Sequence, residues 1–425
     1  MSEITGFCGW RYDKKKVKDL SSVYAPPYDV ISKDQQESLY AKNPFNVIRL
    51  ELGKDESGDH AARNKYTRAG QTLRSWKASG VLRRDERPSI YVYVQDYREE
   101  GRPKTRVGFL AAMRIDEKKV LKHENTLAAP KKDRLALIKE VRTNLSPIFG
   151  LFEDKSGAVQ KLLKASARRT PDVDVTLDGV RHRLYVESDK ERVEAISRLM
   201  REKPMFIADG HHRFEVACQY KKLAGAAARP NGSDGPGRVM TYFTDCLHNP
   251  FKIFPTHRLV RWPKGLFDLT SLLSTVGKTE KVKDLDAVLR RLDKNREETP
   301  GKKYTFGAYS AKSGFWLVTL SPRVAAKVKK NPVDKLDVAV LHSAILEPLF
   351  GIRAIEKSDA IDFTRDPREA VRRVDGEEFD AAFFLRPTSM KEMLTASKKG
   401  LKMPQKSTYF YPKLLSGLAF HSFGD

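Results

Sequence analysis

The segment MFIADGHHRFEVA, residues 205–217, constrains the fold more than any other stretch of this chain. An apolar run, MFIA, enters Asp209-Gly210, and behind it Val216, Ala217, Tyr220 and Leu223 recur at helical spacing. The pattern predicts a strand that leaves through a tight turn into a helix, because Asp-Gly tolerates the backbone conformations a sharp reversal needs. The amides of the helix's first turn then face back toward the turn, where an anion is stabilised. His211, His212 and Arg213 occupy that first turn. Cations at this end oppose the helix dipole, so three adjacent donors suited to phosphate point to a bound anion that compensates them. The competing reading is a helix capped by Asp209, with one histidine buried in the core. A metal centre has less support, since adjacent histidines face different ways and neither HxxxH nor HExxH occurs.

Upstream, Pro26-Pro27 fixes an extended backbone before a turn at Tyr28 and Asp29, and VIRLEL alternates like a half-buried strand. Ala69, Leu73 and Trp76 mark a helix that Gly80 stops. SIYVYVQDY and RVGFLAAMRI read as two strands, and REEGRPKT between them suits a hairpin or a short exposed loop. His123, Glu124 and Asn125 fall in the connection from a strand to a helix that starts near Pro130, where functional residues tend to lie. Asp178-Gly179 marks a hairpin, and a helix over 190–201 leads into the strand before the turn. GAAARPNGSDGPG, residues 225–237, reads as a surface loop or lid. RVMTYFTD and FKIFPTHRLV read as two further strands. KSTYFYPK, close to the C-terminal end, either packs against the core or closes a pocket.

With 425 residues the chain exceeds one typical domain, and 40% hydrophobic with 32% charged residues is the composition of a globular protein. No run approaches a membrane span and the first residues lack the apolar core of a signal peptide, so a cytoplasmic protein is expected. Cys8, Cys218 and Cys246 are far apart, which indicates neither a disulfide framework nor a thiolate metal site. The net charge of +24 points to an anionic partner. Every successive hundred residues is net basic, however, so no segment concentrates the excess as a nucleic-acid patch would.

APPYDVIS, NPFNVIRLEL, KHENTLAAPKKDRLALIKEVRTNLSPIFGLF, ADGHHRFEVA, FPTHRL and KSTYFYPK together resemble, over nearly the whole chain, the bacterial and archaeal family numbered 1015 among domains of unknown function. That family looks related to the ParB and sulfiredoxin-like superfamily, which includes ADP-dependent free serine kinases. The resemblance implies an α+β fold, with a ParB/sulfiredoxin-like mixed core over residues 107–260 and α/β extensions over 1–106 and 261–425. It also implies that KHEN and the DGHHR turn face one cleft.

By the same likeness Glu124 is the catalytic glutamate and Gly210, His211, His212 and Arg213 bind nucleotide phosphates, with Asp209 and His212 assisting catalysis. The implied activity is phosphoryl transfer from ADP or ATP to a small hydroxylated metabolite, free L-serine first. Mg²⁺ would bridge the phosphates, assisted by Asp209. His123, Asn125, Thr256, His257 and Arg258 are the substrate-side candidates. Sulfiredoxin chemistry is set aside because His211 stands where its cysteine would lie. Two other readings stay open: a nucleotide-binding regulator without turnover, and a ParB-like nucleic-acid-associated protein.

Overall fold

The computed structural model describes residues 3–99, 101–124, 126, 128–225, 235–262, 268–298, 303–328, 331–353 and 358–423. Asn125 and most of the 225–237 loop lie outside them. The chain divides into two compact units, residues 1–121, 126–252 and 412–425 in the first and 122–125 with 253–411 in the second. The expected lines at 106 and 260 fall elsewhere. Position 106 lies inside a strand whose partners come from both sides of that line.

In the first unit, β-rich segments build a nine-stranded mixed sheet. Its strands are β1 Ile4–Thr5, β2 Ile90–Glu99, β3 Arg102–Arg114, β4 Val120–Leu121, β5 Ile148–Phe152, β6 Val173–Leu177, β7 Val180–Glu187, β8 Met205–Asp209 and β9 Arg238–Asp245. The order is β4-β8-β5-β9-β3-β2-β7-β6, with β1 paired to β3. Both expected hairpins form. Glu99 pairs with Arg102 around Gly101, and Leu177 pairs with Val180 across Asp178 and Gly179, both at positive φ as a two-residue hairpin turn requires.

Helices of this unit include α1 Lys65–Ala78, α2 Ala128–Val141, α3 Ala158–Ser166, α4 Lys190–Met200 and α5 His211–Ala224. Alternate residues of β2 and β3, Ile90, Val92, Val94, Val107, Phe109 and Ala111, share one core cluster with residues of α3, α4 and α5. The intervening residues Tyr91, Tyr93, Gln95 and Leu110 are buried as well. Both faces are therefore covered, which is why β2 and β3 read as near-continuous apolar runs. On β2 and β3, Gln95 and Arg106 donate to the carbonyls of Lys413 and Pro412, tying residues 412–415 to this sheet.

Two expectations fail here. VIRLEL contains a short helix, Ile48–Glu51, because the buried Asn46 side chain accepts the Ile48 amide at 2.9 Å and donates to the Ser22 carbonyl at 2.7 Å, forcing a turn. Leu223, placed by spacing on the buried face of α5, is 61% exposed, since the helix has passed the edge of its packing partners by its last turn.

The second unit is a six-stranded sheet with every neighbouring pair antiparallel. Its strands are β10 His257–Val260, β11 Gly277–Val282, β12 Thr305–Ser310, β13 Gly314–Leu320, β14 Ile361–Thr364 and β15 Ala381–Phe384, in the order β11-β13-β12-β15-β10-β14. Helices α6 Leu285–Glu298, α7 Pro367–Asp375 and α8 Met390–Lys398 belong to it. Val288 of α6 and Val374 of α7 join Leu259, Leu317 and Phe384 in its core. FKIFPTHRLV is two strands rather than one, Lys252–Phe254 and β10, because Pro255 cannot donate to a ladder. The architecture is thus mixed α+β. Among the described residues no helix is long and apolar enough to cross a membrane.

Candidate functional site

Strand β8 ends at Asp209, and Gly210 turns the chain into α5 with φ +92° and ψ +27°, a left-handed conformation that residues with a Cβ rarely adopt. The first helical bond runs from the Phe214 amide to the Gly210 carbonyl. Gly210 offers the helix no side-chain cap. Asp209 does not supply one either: its Oδ1 accepts the amide of Gly210 at 2.8 Å, one residue short of the helix. The simplest structural alternative, a helix capped by Asp209, is therefore not what the geometry shows.

The other oxygen, Oδ2, accepts Lys413 Nζ at 2.9 Å and lies 4.0 Å from Arg213 Nη2. Burial alone would raise the Asp209 carboxyl, but Lys413 and Arg213 outweigh it and hold the group well below the usual carboxylate range. Two cations, Lys413 and Arg213, thus face this one carboxylate. The Arg213 guanidinium folds back over the turn: a Cβ added at Gly210 would meet its Nε at 3.1 Å. Its Nη1 donates to the Pro147 carbonyl. Burial opposes the Arg213 charge, and Asp209, followed by Asp29, Tyr28 and Glu51, more than offsets that.

Successive helical residues point about 100° apart, so the three expected donors separate. His211 is 3% exposed and sits inside, whereas His212 and Arg213 remain partly accessible. At the next turn of α5, Glu215 accepts Thr126 Oγ1 at 2.5 Å and Lys131 Nζ at 3.2 Å, which ties the start of α2 to α5. Arg134 of α2 stacks 4.1 Å from the Tyr28 ring and donates to the Glu51 carbonyl at 2.7 Å. A cavity of about 50 Å³ is lined by Arg213, Arg134, Glu51 and Asn144 with an apolar side that includes Leu137 and Val216. That volume suits water or a very small group, not a nucleotide.

His123, Glu124, Thr256, His257 and Arg258 belong to the second unit, and the turn belongs to the first. Glu124 is partly buried and its Oε1 accepts the Lys406 amide at 3.3 Å. His123, 1% exposed, has Nε2 3.4 Å from Thr408 Oγ1. Thr256, His257 and Arg258 are all buried, and burial pushes the His257 imidazole down to about 3, so it stays neutral. Arg258 donates to main-chain carbonyls rather than to open space.

Lys413 escaped sequence reasoning although KSTYFYPK was singled out. It lies 204 positions from Asp209, and no local pattern marks one lysine among 79 basic residues. Tyr28 is legible in the sequence only as a turn residue.

A family model described as "Protein of unknown function (DUF1015)" matches residues 4–339. No curated protein matches the sequence. Solved structures similar to the chain include a free serine kinase in complex with AMP, at 12% identity and a TM-score of 0.35, covering 71% of this chain and 86% of that one. A conserved hypothetical protein from Pyrococcus furiosus aligns at 11% identity and a TM-score of 0.35, covering 72% and 94%. C-terminally truncated SbnI from Staphylococcus aureus aligns at 11% and 0.36, covering 72% and 85%.

Proposed function

The chain belongs to the family described as protein of unknown function DUF1015, and we propose that within it this protein is a nucleotide-dependent phosphotransferase acting on a small hydroxylated metabolite, free L-serine first. One observation carries the proposal: Arg213 and Lys413 converge on the left-handed turn at Gly210, at the head of α5. Such a turn binds phosphate by backbone amides and fixed positive charge. Asp209 orients the two cations, while Gly210, His211, His212 and Arg213 form the phosphate-binding turn, with His212 exposed enough to donate. This reading takes a ParB/sulfiredoxin-like core to lie within the first unit, which carries the turn.

Glu124 is assigned as acceptor of the hydroxyl proton, and phosphoryl transfer otherwise needs chiefly positioning and charge stabilisation. His123 and Thr256 support the acceptor side, as does His257; Asn125 is assigned there on sequence alone. ADP or ATP is the donor. Mg²⁺ accompanies such nucleotides, held mainly by their phosphates. Asp209 does not fit as its ligand, because both oxygens already hold donors and one of these is an ammonium group. No step is assigned to the metal.

The test incubates purified protein and Mg²⁺ with ADP, ATP or CTP and a pool of hydroxylated metabolites, and seeks phosphorylated products by mass spectrometry. Glu124→Gln should lower turnover by about 10²- to 10⁴-fold with nucleotide affinity nearly intact. Arg213→Ala should weaken nucleotide binding itself. Full turnover by Glu124→Gln, or nucleotide binding with no product from any acceptor, would replace the enzyme with a nucleotide-binding regulator.

A further inference from the structure

Three stretches distant in sequence meet within the second unit: His123-Glu124, the start of β10, and the loop 403–408. The Met403 amide donates to the His123 carbonyl at 2.7 Å, and Glu124 pairs with Met403 in an isolated parallel bridge. Three residues on, Lys406 directs its own amide at Glu124 Oε1, 3.3 Å away. To do so it holds φ at +54°, a left-handed conformation that a residue with a Cβ keeps only where its surroundings impose it.

Arg258 reaches the carbonyls of this turn. The side chain is 1% exposed and, among the described residues, forms no ion pair. Its Nη1 donates to the Thr256 carbonyl, and its Nη2 lies 3.4 Å from the carbonyls of both Gln405 and Lys406. The Phe363 ring lies 5.3 Å from Cζ. Burial without a carboxylate partner depresses its pKa to about 9, so the cost of burying the guanidinium is met only by carbonyl dipoles and an aromatic face. A planar fork can engage carbonyls on both sides at once; an ammonium group lacks that geometry.

We propose that Arg258 is a positioning residue: anchored on Thr256, it clamps the carbonyls of Gln405 and Lys406 and thereby aims the Lys406 amide at the Glu124 carboxylate. A hydrogen bond to one carboxylate oxygen fixes the plane of the group, which a proton acceptor needs to meet a hydroxyl in line. The assignment rests on the reading in which Glu124 accepts that proton. It also moves Arg258 from the substrate side to a buried support behind it.

The test uses the full chain carrying Arg258→Lys, which keeps the charge and loses the fork. The expected result is a fall in kcat of about 10- to 100-fold with the KM for nucleotide within about twofold. Hydrogen exchange at the Lys406 amide should speed up in the same variant. Adding Lys406→Gly, which adopts positive φ without penalty, should restore part of the lost kcat. A raised KM with unchanged kcat would show that Arg258 meets substrate, and unchanged exchange at Lys406 would show that it clamps nothing; either overturns the proposal. A kcat loss that follows loss of folded protein, with no recovery from Lys406→Gly, overturns it too. Glu124→Gln run in parallel separates the two ideas: if that variant is fully active the phosphotransferase reading has failed, while exchange at Lys406 still judges the clamp.

Discussion

Position 210 tolerates glycine alone. Its φ of +92° strains any side chain, and a Cβ would press on the Arg213 guanidinium at 3.1–3.2 Å. Gly210→Ala should therefore cost about 1–3 kcal/mol of stability, the usual range for a strained backbone position, and weaken nucleotide binding by displacing Arg213. Denaturant unfolding with calorimetric nucleotide titration checks both, and an unchanged midpoint would mean the turn is not left-handed. Lys413 gives a second prediction. Asp209 has a folded pKa below its unfolded value of about 3.9, so the stability it contributes is complete above that pH and is lost as pH falls toward the folded value. Lys413→Met should destabilise by about 1.5–3 kcal/mol at neutral pH, toward the low end because Arg213 remains 4.0 Å from the carboxylate. The gap between variant and wild type should be full at neutral pH and narrow only as pH falls below about 3.9 toward the folded value of Asp209. A gap that does not narrow at all in strong acid would mean that Lys413 acts through packing.

Among the elements, the pairing of β2 with β7 buries an ionisable group. His182 on β7 is 2% exposed, and its Nδ1 lies 2.6 Å from the Tyr93 hydroxyl of β2. Burial, with a further contribution from Arg106, lowers the imidazole to about 3, so it is neutral in the folded protein. The unfolded imidazole titrates near about 6.5, so the stability from its neutral state is present above that pH and declines below it. Wild type should lose up to about 1.4 kcal/mol per pH unit from this group between about pH 6.5 and 3. His182→Gln, which cannot titrate, should flatten the pH dependence by one proton. Urea unfolding at intervals of pH measures it, and identical slopes would show that His182 protonates without unfolding the sheet. His257 on β10 carries a similar liability in the second unit.

For the whole molecule, a charge of +24 favours any polyanion at low salt. Because the excess is spread along the chain, duplex DNA should bind weakly and without sequence preference. Its affinity should fall steeply between about 50 and 200 mM salt, as counterion release dictates. Nucleotide affinity at one built turn involves fewer phosphates and should fall far less. A filter-binding salt series with both ligands distinguishes them. DNA binding that survives about 0.2 M salt and prefers a sequence would favour the nucleic-acid-associated reading instead.

The sequence by itself determined the local elements wherever short-range chemistry decides. Asp-Gly at 178–179 set a hairpin, the spacing of Ala69, Leu73 and Trp76 set α1, and MFIADGHHR set a strand, a left-handed turn and a helix start. It also exposed KHEN and DGHHR as places where charged groups stand at element ends. Tertiary structure decided what each charge faces. Lys413 reaches Asp209 from a segment whose carbonyls, at Lys413 and Pro412, buried Gln95 and Arg106 hold. His211 turned inward while Arg213 folded over Gly210, and VIRLEL became helical because Asn46 redirected the backbone. Arg258 read as a ligand-facing cation and lies instead among carbonyls. The reason is physical: a turn or a helical face is fixed by dihedral preference within a few residues, whereas a charge is governed by desolvation and partners that the fold brings from hundreds of positions away.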